Sequence, residues 1–552
     1  MIGVAVRADE RDIVAEFFEL FKTLWEFCRS GVRYDVVLCT SVDYRCEASR
    51  LLLVLGGAAT AFDAERRRKV KSRPPGFIVS DEGKRVPIYE AMVTFPGCIN
   101  CVLTEEATGE PVAVFEQRGE VTTLRVGYNI FAEARFLLTA GQPACNAGMA
   151  TLEIHIEFLR NWITRSGIAS VEIPPVPDGH NFIACLTHDI DHPAVRNHRF
   201  DHTMLGFLYR STIGTLLSVC RGKKPVRALW KNWGAACMLP FVQIGIAKDF
   251  WSGFDRYLEI ENGLGSTFFV IPRSNYAGRT TDGLAPALRA SRYDLGQLLP
   301  QLKRIVAAGR EVGVHGVDAW LDANEGRKER VRVSEALGTT ELGVRMHWLF
   351  FNKDSPAMLD QAGYTYDSTF GYRETAGYRA GTTQTYQPLG VTNLLELPLH
   401  VMDTALFYPS YLNLDDEEAR RLVWRLIDDV EHFGGVLTIN WHDRSIAPER
   451  LWGDFYRDLV RELKMRRAWM PNSAQAVAWF RHRRAARLES IRLEGGVMKV
   501  RGQTDGGDTL PSLKIRVFKP RARSLSEHVE ARKAAEFVEI RLDRATDFDF
   551  AI

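Results

Sequence analysis

Two periods of apolar residues alternate along the first 175 positions. Runs such as YDVVLCT, PVAVFEQ and TTLRVGY have the length and side chains of strands, while ADERDIVAEFFELFKTLWEF and GMATLEIHIEFLRNWITRSG repeat their apolar residues at helical spacing. That mixture predicts an N-terminal α/β or α+β domain over residues 1–175, and IPPVPDGH after it reads as a proline-stiffened linker. From 181 to 484, β-rich runs recur: FIACLTHD, GSTFFVI, EVGVHG, GVRMHWLFF, YTYDST, LLELPLHV and GGVLTINWH. Helical stretches lie between many of them, the clearest being LDDEEARRLVWRLIDDVEHFGG, with acids in its first turn and glycines after its end. Repeated βα units predict a complete or partial (β/α) barrel over 181–484. Residues 485–552 alternate strands with Gly/Asp turns and read as a small β-sandwich appendage.

Composition narrows the class only modestly. The 552 residues are 46% hydrophobic and 25% charged, a globular balance. The net charge of +2, from 71 basic and 69 acidic residues, builds no overall field for nucleic acid. Two basic runs, FRHRRAAR from Phe480 and KPRARS from Lys519, read as solvated helix face or linker. No secretory signal is evident in MIGVAVRADERDIVAEFFELF, so a cytoplasmic location is expected. Apolar runs such as LLLVLGGAATAF fall short of the roughly 18–20 residues of a spanning helix. The nine cysteines form no disulfide framework, and Cys98 and Cys101 of GCINC read as two buried thiols. The sequence assigns no oligomeric state.

Polar residues gather where the apolar runs end. Asp189 and Asp191 follow FIACL, His315 follows EVGV, Arg345 and His347 stand in GVRMHW, Asp367 in YDST, and His442 after GGVLTIN. In a barrel of parallel strands all those ends share one face, where such folds build active sites. A single Asp there is usually a cap and a single His a satisfied core residue, but recurrence at several strand ends argues for a shared site.

In the order THDID, VGVHGVDAW, GVRMHW, GYTYDST, TINWH, these segments resemble the five motifs of the polysaccharide deacetylase superfamily, the NodB-homology group around carbohydrate esterase family 4. The resemblance covers about residues 181–484 and implies a distorted (β/α) barrel holding one divalent metal ion, zinc by expectation, that hydrolyses an N-acyl group from an amino sugar. Carried over by motif, Asp189 matches the catalytic base, Asp191 and His315 metal ligands, His442 the general acid, Arg345 the residue that orients the base, and Asp367 the surrounding shell. One position departs: where the second motif repeats its histidine, this chain has Ala319. His347 is favoured as the third ligand, with Asp318 the alternative. Asp443 and His192 are candidate supporting residues, and His188, His198 and His202 are loop or supporting candidates.

The expected substrate is a cytoplasmic glycan precursor, a lipid-linked or nucleotide-linked amino sugar. Tyrosines, arginines and glycines in GYRETAGYRAGTTQTY suit a sugar or charged head group. The insertion from His202 to Trp251 reads first as a buried helical insertion. Its aromatic, apolar and basic composition offers peripheral membrane contact, or cover for the site, as the alternative. Hydrolysis of a non-sugar C–N amide, and an inactive carbohydrate-binding protein, remain the competing functions.

Overall fold

The computed structural model describes residues 1–40, 47–222, 224–494, 497–504, 509–521, 537–542 and 545–551. They form two compact units: residues 1–179 with 380–382 and 479–552, and residues 180–379 with 383–478.

The first unit is built on a nine-stranded mixed sheet. Its parallel half orders Trp25–Phe27, Ile2–Ala5, Arg33–Cys39, Glu47–Leu55 and Val121–Val126. The antiparallel half continues through Pro111–Arg118, Cys101–Glu105, Gly76–Ser80 and Arg85–Ile88. The C-terminal strands group with this unit: Leu513–Phe518 pairs with Ser170–Glu172 on one side and Phe537–Leu542 on the other. Arg483, expected on a solvated face, is instead buried and donates to the carbonyls of Ile173, Glu19 and Leu20. Those carbonyls include the end of helix Arg11–Phe21, whose last-turn acceptors lack helical partners. Arg484 makes a two-bond ion pair with Glu16 at 2.8 Å. Of the second basic run, residues 522–524 lie outside the described residues. Cys98 and Cys101, expected as buried thiols, are half-buried.

The second unit carries eight parallel strands, β1 (Ile183–Ile190), β2 (Thr267–Val270), β3 (Glu311–Gly316), β4 (Val344–Met346), β5 (Tyr366–Asp367), β6 (Leu395–Glu396), β7 (Val401–Met402) and β8 (Val436–Asn440). Their order is β6-β5-β4-β3-β2-β1-β8-β7, every pairing parallel, and the sheet stays open between β6 and β7. β1 is buried at all eight positions, as a central strand covered on both faces must be.

The sheet is curled. Arg345 on β4 lies three strands from β1, roughly 14 Å in a flat sheet, yet it donates to the Thr187 hydroxyl at 2.7 Å and to Asp189 Oδ1 at 3.1 Å. Its guanidinium crosses the Phe269 ring of β2 at 4.6 Å. A partial (β/α) barrel, as read from the sequence, is therefore the architecture.

Helices between the strands follow their sequence signals. Leu295–Ala307 starts on the Asp294 cap and buries Leu295, Leu298, Leu302 and Ile305 along one stripe. Asp416–Phe433 begins with an Asp415/Glu418 capping box and ends at Gly434, followed by Gly435 at φ +101°. A Cβ on Gly435 would stand 2.3 Å from the Thr383 carbonyl oxygen, so only glycine lets the chain enter β8 there.

The insertion from His202 differs from the buried segment expected. Helices His202–Tyr209, Thr215–Cys220 and Arg227–Gln243 bury a narrow core around Phe207, Leu239 and Trp251. Trp230, Phe241, Ile244 and Ile246 face outward, Trp230 with 74% exposure. Among the described residues no helix is long and apolar enough to cross a membrane.

Candidate active site

The carboxyl ends of β1, β3, β4 and β8 converge on a cavity of about 610 Å³, lined by Asp189, Asp191, His315, His347, His442 and Asp443 among others. Three of these form a tight donor set. Ligand atoms of Asp191, His315 and His347 lie within 4.8 Å of one another, with His315 Nε2 and His347 Nδ1 each 3.4 Å from Asp191 Oδ1.

The outer nitrogens define what faces inward. His315 Nδ1 lies 2.9 Å from the Arg345 carbonyl and His347 Nε2 lies 3.0 Å from the Arg289 carbonyl. A carbonyl only accepts, so each of those nitrogens carries the ring proton. In the neutral rings, His315 Nε2 and His347 Nδ1 then point lone pairs at each other across 3.0 Å, beside a carboxylate oxygen that has no hydrogen-bond partner. With the outer nitrogens carrying the ring protons, these three atoms are placed to hold a cation, and two imidazoles with one carboxylate suit zinc. The residues present fit the metal that the sequence resemblance implies.

His347 is placed by unusual backbone. Trp348 and Leu349 both take left-handed conformations, φ +61° and +52°. Such values are costly for residues with side chains and often mark functional sites. Arg289 locks this turn, donating to the His347 carbonyl at 2.9 Å and the Val317 carbonyl at 3.0 Å. Ala319 is fully buried, and a Cβ on Gly326 would already stand 3.0 Å from its methyl, so this position has no room for an imidazole. Asp318 is occupied elsewhere, accepting from the Tyr276 hydroxyl at 2.6 Å and the Arg279 amide at 2.7 Å.

Asp189 is buried and gripped from two sides, by Arg345 at Oδ1 and by Asn440 Nδ2 at Oδ2, 2.7 Å away. Burial opposes its charge, but His315, Arg345 and His442 together hold the carboxyl below its ordinary value. Arg345 makes two further bonds, to the Ser368 carbonyl and hydroxyl, both at 2.9 Å.

His442 sits across the donor set, with Nε2 3.9 Å from Asp191 Oδ2. Asp403 holds it, accepting from Nδ1 at 2.6 Å and from the backbone amide at 2.7 Å. Burial disfavours the charged ring, yet Asp403, with Asp191 and Asp189 beyond it, raises His442 to about 10. Asp443, also on the cavity wall, accepts from the His192 amide at 2.8 Å. Burial, with Asp191 nearby, pushes Asp443 up to about 7.

The remaining candidates divide. His192 lines the cavity and its Nδ1 meets His198 Nε2 at 3.1 Å, while His198 Nδ1 meets Asp201 at 2.7 Å. His202 also lines the cavity. His188 is buried between the Trp441 carbonyl and Glu261, away from it. Asp367 does not reach the cavity; it binds the Thr369 hydroxyl, and burial raises its carboxyl. Sequence reasoning missed Asp403 and Asn440. Both stand at strand ends, Asp403 just beyond LLELPLHV and Asn440 inside TINWH, the signal used for the other residues.

No family profile and no curated protein matches the chain. Among solved structures, a protein from Mycobacterium smegmatis provisionally assigned as a polysaccharide deacetylase aligns at 19% identity and a TM-score of 0.36, over 58% of this chain and 99% of that one. A provisional polysaccharide deacetylase from Pseudomonas aeruginosa PAO1 aligns at 14% identity and a TM-score of 0.35, over 58% and 97%. A carbohydrate esterase family 4 pseudoenzyme from Bacillus anthracis aligns at 13% identity and a TM-score of 0.26, over 55% and 70%.

Proposed function

We propose that the chain is a metal-dependent hydrolase that removes an N-acyl group, acetyl or formyl, from an amino sugar, acting on a cytoplasmic lipid-linked or nucleotide-linked glycan precursor. The observation that carries this reading is a pair of proton-transfer groups, Asp189 and His442, flanking the donor set Asp191, His315 and His347. A divalent ion held by those three, zinc by the chemistry of the donors, would polarise the acyl carbonyl and activate water.

The chain's own residues supply the proton path. Asp189, kept ionised and aimed by Arg345 and Asn440, takes a proton from the attacking water. His442, cationic through Asp403, gives the Nε2 proton to the amine nitrogen as the C–N bond breaks. Trp348, Tyr408 and Tyr411 offer ring faces and hydroxyls to a sugar.

Peripheral membrane contact through the insertion belongs to the same reading. From His202 to Lys248 the sequence has seven Lys or Arg and no Asp or Glu, beside the outward Trp230, Phe241, Ile244 and Ile246.

The test uses zinc-loaded protein and a panel of N-acetylated and N-formylated sugars with simple cyclic amides as the comparison. Release of acetate or formate from a sugar supports the reading, and turnover of cyclic amides alone overturns it. Asp189→Asn should retain metal and lose turnover by about a hundredfold or more. Asp191→Ala should lose both.

A further inference from the structure

Beyond the donors and proton-transfer groups, the same cavity is lined by Arg210, Arg444 and Arg450, with Tyr408 and Tyr411 beside them. Arg450 is only 7% exposed. One amino group donates to the Tyr408 hydroxyl at 2.9 Å, and its guanidinium lies over the rings of Tyr408 and Trp452 at 4.9 and 5.0 Å. Its Nε has no hydrogen-bond partner, and neither has the buried Nε of Arg210. Arg444 lies over Trp251 at 5.1 Å.

Among the described residues none of the three forms an ion pair. Glu449 is the carboxylate whose charge acts on all three: its Oε1 accepts from Trp251 Nε1 at 2.8 Å, its Oε2 has no hydrogen-bond partner, and burial raises its carboxyl, so at most one negative charge faces three positive ones. The other carboxylates lining the cavity serve elsewhere: Asp189 is held by Arg345, Asp191 faces the two histidines of the donor set, and Asp443 accepts from backbone amides. The result is concentrated positive charge. Burial and the like charges of Arg450 and Arg444 pull Arg210 down to about 9. Burial would raise Tyr408, yet Arg450, Arg444 and His442 bring it down to about 8.

Like charges held together, two of them with buried N–H groups unsatisfied, are compensated by an anion. Guanidinium forks match phosphate oxygens in particular. Position decides which half of the substrate carries it. Tyr408 feels the charges of Arg450, Arg444 and His442 together, so the cluster lies on the side of His442, the group assigned to the departing amine, and the anion belongs to the sugar and not to the acyl group.

The geometry points to an anion subsite formed by Arg210, Arg444, Arg450 and the Tyr408 hydroxyl, which takes a phosphate group carried by the amino sugar. The sugar half of this statement rests on the amide-hydrolase reading, and the phosphate half on the cavity alone.

Binding to full-length Asp189→Asn protein separates the two. N-acetylglucosamine 1-phosphate should bind roughly tenfold or more tightly than N-acetylglucosamine. Arg210→Gln and Arg450→Gln, each in that background, should erase the difference while leaving the neutral sugar unaffected, and Arg450→Lys should restore part of it. Inorganic phosphate should bind with the same arginine dependence, a result that would stand even if no amide were hydrolysed. Phosphatidylcholine vesicles with and without phosphatidic acid distinguish the source: arginine-dependent binding that needs the acidic lipid assigns a lipid phosphate, and binding of the soluble sugar phosphate alone assigns a free one. Equal affinity for the two sugars, or phosphate binding unchanged in both glutamine variants, overturns the subsite. Should the glutamine variants fail to fold, Arg444→Gln at the half-buried position carries the same comparison.

Discussion

Asp403 accepts from both the ring Nδ1 and the backbone amide of His442, at 2.6 and 2.7 Å. The two bonds fix the ring's rotation and leave Nε2–H as the donor that His442 directs at the cavity. A carboxylate used this way stabilises the imidazolium and sets its tautomer.

Asp403→Asn should therefore act on His442 and not on the metal. Asp403 is the main force raising His442 to about 10, so its removal lowers that value and the proton is lost at lower pH. The alkaline limb of the kcat profile should move toward neutrality, with kcat down roughly a hundredfold at its former optimum. Zinc content by metal analysis should be unchanged. A profile that keeps its shape would remove His442 as the proton donor.

Arg345 joins three strands through a buried guanidinium, reaching Thr187 and Asp189 on β1 and Ser368 beyond β5. Arg345→Lys keeps the charge but cannot reproduce the fork, leaving Asp189 and the Ser368 carbonyl short of donors. The expected cost is about 3 kcal/mol in urea unfolding, with kcat reduced even where the protein remains folded. A lysine variant of unchanged midpoint would show that the curl does not depend on this residue.

Much of the site is legible in the sequence because parallel strands bring their carboxyl ends together. Asp189, Asp191, His315, Arg345, His347 and His442 all follow apolar runs, and all converge. What the sequence does not reveal is where a side chain turns. Asp318 and His347 both stand at strand ends as candidate ligands; Tyr276 and Arg279 claim the aspartate, and the left-handed Trp348 and Leu349 turn the histidine inward. Asp403 is hidden by the shortness of β7, two residues that run directly into the short helix Asp403–Phe407. Strand pairing across hundreds of positions is equally invisible to local pattern. Ser170–Glu172 joins Leu513–Phe518, a pairing that no local pattern in either segment announces.

In the first unit, Glu133 is buried beneath the Tyr89 and Glu90 amides, which donate to it at 2.9 and 2.8 Å. Burial outweighs those bonds and raises the carboxyl from 4.5 to about 7. The folded state therefore holds the proton more tightly than the unfolded one. The contribution of Glu133 to stability is greatest below about pH 4.5, falls as pH rises to about 7 and is level above, a change of roughly 3 kcal/mol. Glu133→Gln should remove that slope. The difference between the urea midpoints of the two proteins, followed from pH 4.5 to pH 7, should decrease in the wild type's disfavour, and a flat difference would contradict it.

The insertion gives the last prediction, since its surface combines two forces that act on a membrane interface. Outward Trp230 and Ile246, with 74% and 75% exposure, supply apolar area. Besides the cavity-lining Arg210, six cationic residues without an acidic one between His202 and Lys248 supply attraction to anionic lipid. The first force is insensitive to salt and the second is screened beyond about 10 Å at 0.1 M. Sedimentation with vesicles should thus require anionic lipid and weaken with added salt, and tryptophan emission should shift to the blue as Trp230 leaves water. Trp230→Ala should weaken binding at every salt concentration, whereas Lys231→Glu should weaken it mainly at low salt, where unscreened charge contributes most. Equal binding to neutral and anionic vesicles would leave the basic face without this role.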